Sequence, residues 1–292
     1  MTRARRNILA GLLWCSPFLA GSLLFLAVPA AMSLAASFTD SSLIEPPNPV
    51  GLDNYREMLR DTLLRRVAIN TLAFTLGSIL IGAPLSVAIA ALLEIPSPLR
   101  RLARSVVFFP TLVPVVAASI GWMWLYAPES GLLNRFLRAL ALPGVDWLGD
   151  ARTAMPALVL MSLWCIGTPV VVYAAAMRAV PASLYDAAHI DGMSAPRRFL
   201  HVTLPMISPA ILFNVVVSIV WSLQVFAAPA IMTRGGPGDA TNVYALYVYR
   251  NAFDYGRLGY ASALAWVQLL VTLALSLAVV ALSRRLVYYR GA

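Results

Sequence analysis

The sequence contains no lysine, and its other charged residues are few. Only 12% of its 292 residues are charged, against about a quarter in an ordinary soluble domain. Hydrophobic residues make up 60%, and the mean hydropathy is +0.77. A chain with so little polar surface lacks both the charged exterior of a soluble or secreted protein and the low hydrophobicity of a disordered one. These classes are therefore excluded, and lipid is the expected solvent.

Cysteine and histidine are also scarce, with two residues of each. Cys15 and Cys165 lie within apolar runs, which favours small buried hydrophobic residues over a disulfide. His189 and His201 have no cysteine nearby, so no metal site is expected. An integral-membrane enzyme would need acids, histidines or nucleophiles clustered at one interface, whereas the acids here are scattered through several loops. We therefore expect no enzymatic activity.

Long apolar runs dominate what is present. Six of them are long enough to cross a bilayer core, which takes about 20 residues, and none contains Asp, Glu, Arg or His. They cover residues 8–36, 67–93, 105–127, 154–177, 206–233 and 258–283. The first exceeds the apolar part of a signal peptide, about 7–15 residues, and is expected to remain as an anchor. The sequence thus predicts an all-α, polytopic integral membrane protein with six transmembrane helices.

The arginines of the connecting segments are distributed unevenly. With the N-terminus in the cytoplasm, the inside segments carry twelve arginines and three acids, a net charge of +9, while the outside loops carry ten of each. Because positive residues accumulate in cytoplasmic loops, both termini are predicted to be cytoplasmic. The pI of about 10.1 then reflects topology, and no nucleic-acid partner is expected. Two outside segments, residues 52–64 and 131–140, have apolar residues at helical spacing and predict short interfacial helices.

One cytoplasmic loop, residues 181–205, has a pattern of its own. Ser183 precedes Asp186 by three residues, as in a capping box, and Gly192 can end a helix in the left-handed conformation. A helix of two turns is not stable alone, so it needs a surface on which to dock. Its residues on one face are Leu184, Ala187, Ala188 and Asp191. The spacing alone is equally compatible with a docking helix and with a plain connector on the membrane surface.

The residue order in this loop resembles the EAA loop of ABC importer membrane subunits. The matching elements are Asp186-Ala187-Ala188, Asp191-Gly192, Leu204-Pro205 and Pro209. Asp186 departs from the family, which has glutamate there. Further stretches resemble the larger subunit of the maltose and glycerol-phosphate class of carbohydrate importers. They are Gly51-Leu52-Asp53-Asn54-Tyr55, Gly131-Leu132-Leu133-Asn134, Gly235-Gly236-Pro237 and Tyr260-Ala261-Ser262-Ala263.

The resemblance implies a type I ABC importer permease fold in the cytoplasmic (inner) membrane of a bacterium. It divides the chain into a first helix with an external loop (1–65), an ABC type-1 core (66–284) and a cytoplasmic tail (285–292). It also implies a second homologous permease, two ATP-binding subunits, an extracytoplasmic solute-binding protein and a sugar substrate. Contact with the ATPase is then expected at the following residues: Leu184, Asp186, Ala187, Ala188, Asp191 and Gly192.

The same resemblance suggests a substrate pocket at the fourth and fifth crossings. Ser218, Trp221 and Ser222 share one helical face and match, by their distance before the GGP turn, the pocket positions of the maltose-type subunit. An indole can pack on the apolar face of a sugar while hydroxyls bond its rim. Further candidates are Gln224, Trp164 and Thr168. The alternative for each of these residues is helix packing or an interfacial belt.

The energy source is restricted by two absences. A P-loop requires a lysine, and ion-coupled transporters normally place ionisable residues within the membrane; neither occurs in this sequence. We therefore expect partner subunits to bind the ATP and the chain itself to need no cofactor. The alternative function is a self-sufficient secondary transporter or channel, against which the absence of intramembrane charge also argues.

Overall fold

The computed structural model describes residues 3–42, 46–283 and 287, and within them the regular elements are helices. The only strand-like pairing there is a single bridge between Thr39 and Pro49. The predicted all-α class is therefore confirmed. The chain forms two compact units, Met1–Asp61 with Val248–Leu269, and Thr62–Tyr247 with Leu270–Ala292. The predicted tail, residues 285–292, lies outside the described residues apart from Val287.

The first unit contains the first apolar helix and the segment after it, which is predicted to be external. Its helices are α1 (Arg3–Ser22), a π-helical turn (Leu23–Ala27), α2 (Val28–Ala36) and α3 (Asp53–Arg60). Polar contacts hold the external part together, since Asn54 Nδ2 donates to the carbonyl groups of Ser37 (2.9 Å) and Thr39 (2.8 Å). The amphipathic helix predicted at 52–64 is shorter in the structure, because Asp61 has extended backbone and a new helix begins after it.

The second unit is organised around one long helix. Its elements up to the fourth predicted crossing are α4 (Thr62–Glu94), α5 (Arg100–Phe108), a 3-10 turn (Phe109–Leu112), α6 (Val115–Leu125), α7 (Leu132–Ala139), α8 (Ala151–Trp164) and α9 (Gly167–Arg178). Then follow α10 (Ala182–Ile190), α11 (Ala195–Arg198), a π-helical turn (Phe199–Thr203), α12 (Leu204–Met206), α13 (Ser208–Leu223) and α14 (Ala227–Met232). Helix α4 packs against α8, α9 and α13.

Two helices belong to both units. They are α15 (Tyr244–Tyr249) and α16 (Leu258–Ser283).

Two apolar clusters form the core of the second unit. One contains Tyr126, whose hydroxyl donates to the carbonyl of Ala157 (2.7 Å), and the other contains Val170, Tyr173 and Ile207.

Four apolar helical segments are long enough to cross a membrane, and two bent pairs bring the number to six when each pair counts as one span. The predicted third crossing, 105–127, is not one straight helix, because Arg100–Leu112 and Val115–Leu125 meet at 104°. Val113 is extended there, as the residue before a proline tends to be. The fourth crossing bends by 47° between α8 and α9, where Pro169 cannot donate to the carbonyl of Cys165.

The prediction that both cysteines are buried is wrong. Cys15 and Cys165 are exposed and unbonded to each other. Cys15 lies on α1, and none of the apolar window around Gly11–Ala36 is buried in the chain. Cys165 lies at the break between α8 and α9, where the two helices diverge and leave space beside it.

Candidate functional site

The second unit contains a cavity of about 600 Å³ among α4, α8, α9 and α13. Within the part of the chain that the structure describes, no Asp, Glu, Arg or His lines it. Its polar groups are hydroxyls, one thiol and one amide. They belong to Ser78, Ser86, Thr111, Ser162, Cys165, Thr168, Tyr173, Asn214, Ser218 and Ser222. Such a surface forms neutral hydrogen bonds and offers no ionic partner for a charged solute.

Four of the six predicted pocket residues line this cavity. Ser218, Trp221 and Ser222 do so from α13, and Thr168 from the first turn of α9. Trp221 is 75% exposed, so its ring stands free at the cavity surface. Its position agrees with the single helical face deduced from the spacing, because residues three and four apart on a helix are neighbours.

The other two predicted pocket residues lie outside the cavity. Trp164 ends α8 and packs edge-on against Trp122, with ring centroids 6.2 Å apart. Gln224 is the residue after α13 and is exposed. The Trp164 ring thus packs on α6, and the Gln224 side chain is exposed to the surroundings, so neither belongs to the cavity lining.

Hydrogen bonds leave part of the cavity lining available. Ser78 and Ser162 bond to each other (Oγ to Oγ, 3.1 Å), and Asn214 Nδ2 donates to the carbonyl of Ala210 (3.0 Å). Among the described residues, the hydroxyls of Thr168 and Ser218 have no partner. Each of those two hydroxyls can donate one hydrogen bond and accept two. A solute in the cavity therefore meets two unused hydroxyls beside the indole of Trp221.

Sequence reasoning missed the contribution of α4 to this cavity. Ser78, Gly82 and Ser86 recur every fourth residue along that helix, which places them on one face. This regular spacing of small residues is visible in the sequence, and the contribution of α4 to the cavity could have been predicted from it. Asn214 was visible as a polar residue in the fifth apolar run, but nothing in the sequence indicated its direction.

The predicted docking helix exists, although it begins differently. Helix α10 starts at Ala182 after Pro181, and no side chain caps it. The predicted capping box of Ser183 and Asp186 is therefore wrong, because Ser183 already lies inside the helix. The predicted stop at Gly192 is confirmed. Its φ is +69°, and the N–H groups of Met193 and Gly192 donate to the carbonyls of Ala188 (2.9 Å) and His189 (3.0 Å), a Schellman ending.

The two faces of α10 have different surroundings. Ala188 is buried within this chain, and the hydroxyl of Tyr185 lies 3.0 Å from that of Thr203. Ala188 therefore packs inward, away from any partner. The rest of the helix surface, its exposed face, carries Leu184, Asp186, Ala187, Asp191 and Gly192. Of the four residues predicted to share one face, Ala188 alone is covered by this chain. Ile190 belongs with the exposed face although the spacing did not select it, and at 87% exposure it is the most prominent apolar side chain of the helix.

No cluster of three or more His, Cys, Asp or Glu side chains suited to a metal ion occurs in the described ranges.

The two short helices that the sequence predicts in outside loops are present as α3 and α7. On α7, Leu132 and Phe136 are exposed while Asn134 is buried and bonds to the carbonyl groups of Pro128 and Val145. The buried asparagine thus orders the loop beside the cavity-forming helices.

Comparison with known proteins places these features in a family context. A family described as "Binding-protein-dependent transport system inner membrane component" matches residues 82–288. The probable ABC transporter permease protein YesP of Bacillus subtilis is 32% identical over 98% of this chain and 94% of its own. The sulfoquinovosyl glycerol transport system permease protein SmoG of Agrobacterium fabrum is 30% identical over 90% and 85%. The trehalose/maltose transport system permease protein MalF of Thermococcus litoralis is 31% identical over 86% of both chains.

A solved structure supports the fold. The chain matches a subunit of a bacterial ABC transporter that imports the acidic polysaccharide alginate, with a TM-score of 0.85. The match covers 97% of this chain and 99% of the other at 24% sequence identity. The helices described above therefore have the arrangement of a type I ABC importer permease.

Proposed function

We propose, from the premise that this chain belongs to the family of binding-protein-dependent transport system inner membrane components, that it is the permease subunit of an ATP-driven importer for a sugar or related polyol. The chain is a multi-pass protein of the inner membrane. The observation that carries the proposal is the neutral cavity of about 600 Å³ with an exposed indole and free hydroxyls. Four of its relatives are named for the transport of sugars or sugar derivatives.

The cavity has the chemistry of a carbohydrate site. A sugar ring has an apolar face of C–H groups that packs on an aromatic ring, and a rim of hydroxyls that needs hydrogen-bond partners. Trp221 would supply the aromatic surface, and Ser218, Ser222 and Thr168 the partners. Trp164 and Gln224, which lie outside this cavity, have no role in this binding proposal.

Energy would enter through α10. No P-loop lysine exists in the chain, so ATP would be bound and hydrolysed by two partner subunits, and the permease would be non-catalytic and need no cofactor. The exposed face of α10, with Leu184, Ala187 and Ile190, would dock into a groove of the ATPase. Asp186, Asp191 and Gly192 would border this contact. A two-turn helix gains the stability that it lacks alone from such docking.

The transport cycle that we propose is alternating access. Closure of the ATPase pair on ATP would move α10 and, through it, α9, whose end lies four residues before α10. The bent α8–α9 pair and α13 would then open the cavity outward to a solute-binding protein. A second homologous permease would complete the pathway, since one chain lines it from one side only. The family's description refers to transport that depends on a binding protein. This disfavours a self-sufficient transporter or channel.

The test is uptake by the whole transporter in liposomes with ATP inside and a panel of labelled sugars outside, beginning with trehalose and maltose. Replacement Trp221→Ala should raise the KM for uptake about 2- to 10-fold, the range expected for loss of one stacking contact. Trp221→Phe should retain most of the affinity. Trp124→Ala is the matched control, because Trp124 is 78% exposed but does not line the cavity.

Two results would contradict the proposal. An unchanged KM in Trp221→Ala would remove the pocket, and uptake that proceeds without ATPase subunits would favour the secondary transporter instead.

A further inference from the structure

A charge cluster at the ends of three helices plays no part in the function proposed above. Glu94, the last residue of α4, accepts from Arg100 and Arg104 of α5, the latter at 2.7 Å, and lies 3.4 Å from Arg178 at the end of α9. Its side chain is only 19% exposed. One carboxylate thus faces three guanidinium groups, so the cluster carries two uncompensated positive charges.

Two donors within the cluster are unused. The Nε atoms of Arg100 and Arg104 are buried and, among the described residues, have no hydrogen-bond partner. A buried donor of a charged group without an acceptor is costly. The cluster therefore has more guanidinium donors and more positive charge than its one carboxylate satisfies. Arg100 and Arg104 do not line the cavity described next, so they add to the positive charge beside it and are not contacts of a ligand there.

A cavity of about 470 Å³ adjoins the cluster. Glu94 and Arg178 line it together with Arg198 of α11, which adds a further guanidinium group. The paired hydroxyls of Tyr185 and Thr203 line it too. Two guanidinium groups that line one space, with hydroxyls beside them, suit a phosphate, which offers several acceptor oxygens. A carbohydrate would leave the positive charge uncompensated.

The surroundings of the cluster identify the source of that phosphate. Helix α5 carries Arg100 and Arg104 on the side facing Glu94, while Leu99, Leu102 and Val106 beside them are each more than 60% exposed. The helical segments Arg100–Leu112 and Val115–Leu125 meet at 104°, so α5 does not continue the direction of α6. An amphipathic helix with arginines on one side and free aliphatic residues on the other is typical of the level where headgroups meet acyl chains. A soluble phosphate would need no such apolar border.

We propose that this cavity binds the phosphate of an anionic phospholipid headgroup, with Arg178 and Arg198 as its principal contacts. The acyl chains then lie along the aliphatic side of α5. Basic pockets between membrane helices on the cytoplasmic side are known to take such headgroups. The bound lipid supplies the missing negative charge. This charge lies next to α10, because Tyr185 of that helix lines the same cavity.

The experiment uses the full chain, purified in mild detergent, with native mass spectrometry to count retained lipid. Phosphatidylglycerol is offered against phosphatidylcholine at a salt concentration where the Debye length is about 8 Å. In the double variant Arg178→Gln with Arg198→Gln, retention of phosphatidylglycerol should fall about fivefold for each arginine removed. Arg101→Gln is the control, since Arg101 lies exposed on α5 and forms no ion pair among the described residues.

Two further variants separate binding from folding. Arg198→Gln alone leaves the Glu94 contacts intact and should still lower retention about fivefold. Glu94→Gln removes the competing carboxylate and should raise retention, an increase that a purely structural role of the network would not produce.

Three results would overturn the proposal. The first is equal retention of phosphatidylglycerol by the double variant and the native chain. The second is retention of phosphatidylcholine by the native chain that equals its retention of phosphatidylglycerol. The third is a rise in thermal midpoint with inorganic phosphate that matches the rise with phosphatidylglycerol, because the ligand would then be the soluble ion. Each readout is independent of sugar uptake, so a failure here leaves the proposed permease function untouched.

Discussion

Gly192 ends α10 in a backbone conformation that L-residues with a side chain seldom adopt. Its φ is +69°, and an added Cβ would meet no atom within 4 Å. The requirement for glycine is therefore conformational and not steric. Because the two hydrogen bonds of the Schellman ending depend on this φ, the residue determines where the exposed face of α10 stops.

Replacement Gly192→Ala should strain the ending by about 1–2 kcal/mol. The amide of Met193 should then exchange its hydrogen about 5- to 30-fold faster, measured by hydrogen–deuterium exchange on the full transporter. Gly192→Asn should have a smaller effect, because asparagine tolerates the left-handed region. Gly256→Ala is the matched control: Gly256 has φ +67° and equally open space, but it lies in the first unit. Unchanged exchange in Gly192→Ala would show that α10 is held by other contacts.

At the level of elements, the start of α9 makes a close contact beside the cavity of the second unit. A Cβ at Gly167 would lie 2.6 Å from the carbonyl oxygen of Val107 and 2.8 Å from Cγ2 of Thr111. The absence of a side chain thus lets α9 begin directly against the end of α5 and the 3-10 turn that follows it. Since Thr168 comes next, this contact also places a cavity hydroxyl.

Gly167→Ala should destabilise the protein by about 1–3 kcal/mol through overpacking against backbone that cannot move aside. The measurement is the thermal midpoint of unfolding in detergent, together with the KM for uptake. Gly121→Ala is the control, because Gly121 is inside α6 with nothing within 4 Å of an added Cβ. That variant should be neutral or more stable by about 0.5–1 kcal/mol. Equal midpoints for the two variants would contradict the packing argument.

At the level of the whole molecule, topology rests on the arginines. The sequence assigns twelve of them, with three acids, to the predicted cytoplasmic side, including Arg178 and Arg198 of the proposed lipid site and Arg100 and Arg104 of the cluster beside it. The same bias that orients the chain during insertion therefore also supplies charge where anionic headgroups lie. The orientation itself stays a prediction, and it has a direct test.

In a chain without Cys15 and Cys165, Leu59→Cys should react with an impermeant maleimide on intact right-side-out cells. Ile190→Cys should react only after permeabilisation. The cells must lack the ATPase subunits, because these would cover Ile190. In the chain alone Leu59 is 88% exposed and Ile190 87%, so accessibility to solvent does not distinguish them and any difference reports the side of the membrane. Labelling of Ile190→Cys from outside would invert the predicted topology.

The sequence predicted the features that depend on local pattern. The apolar runs predicted the spans, Gly192 the end of α10, and the three- and four-residue spacing the side of α13 that lines the cavity. These succeeded because a helix has a constant period, so side chains within one continuous helix share a face by geometry alone.

Tertiary structure decided whatever depends on where a helix breaks or what packs against it. Trp164 lies outside the cavity because its ring packs against Trp122, and the third crossing bends at Val113 because Pro114 follows. Ala188 faces inward because the Phe199–Thr203 turn packs beneath α10. The scarcity of charge determined from the start that this is a membrane protein. Only the fold showed that this sparse charge converges around Glu94, since Arg178 of α9 is 84 residues away in sequence and meets Glu94 solely by packing.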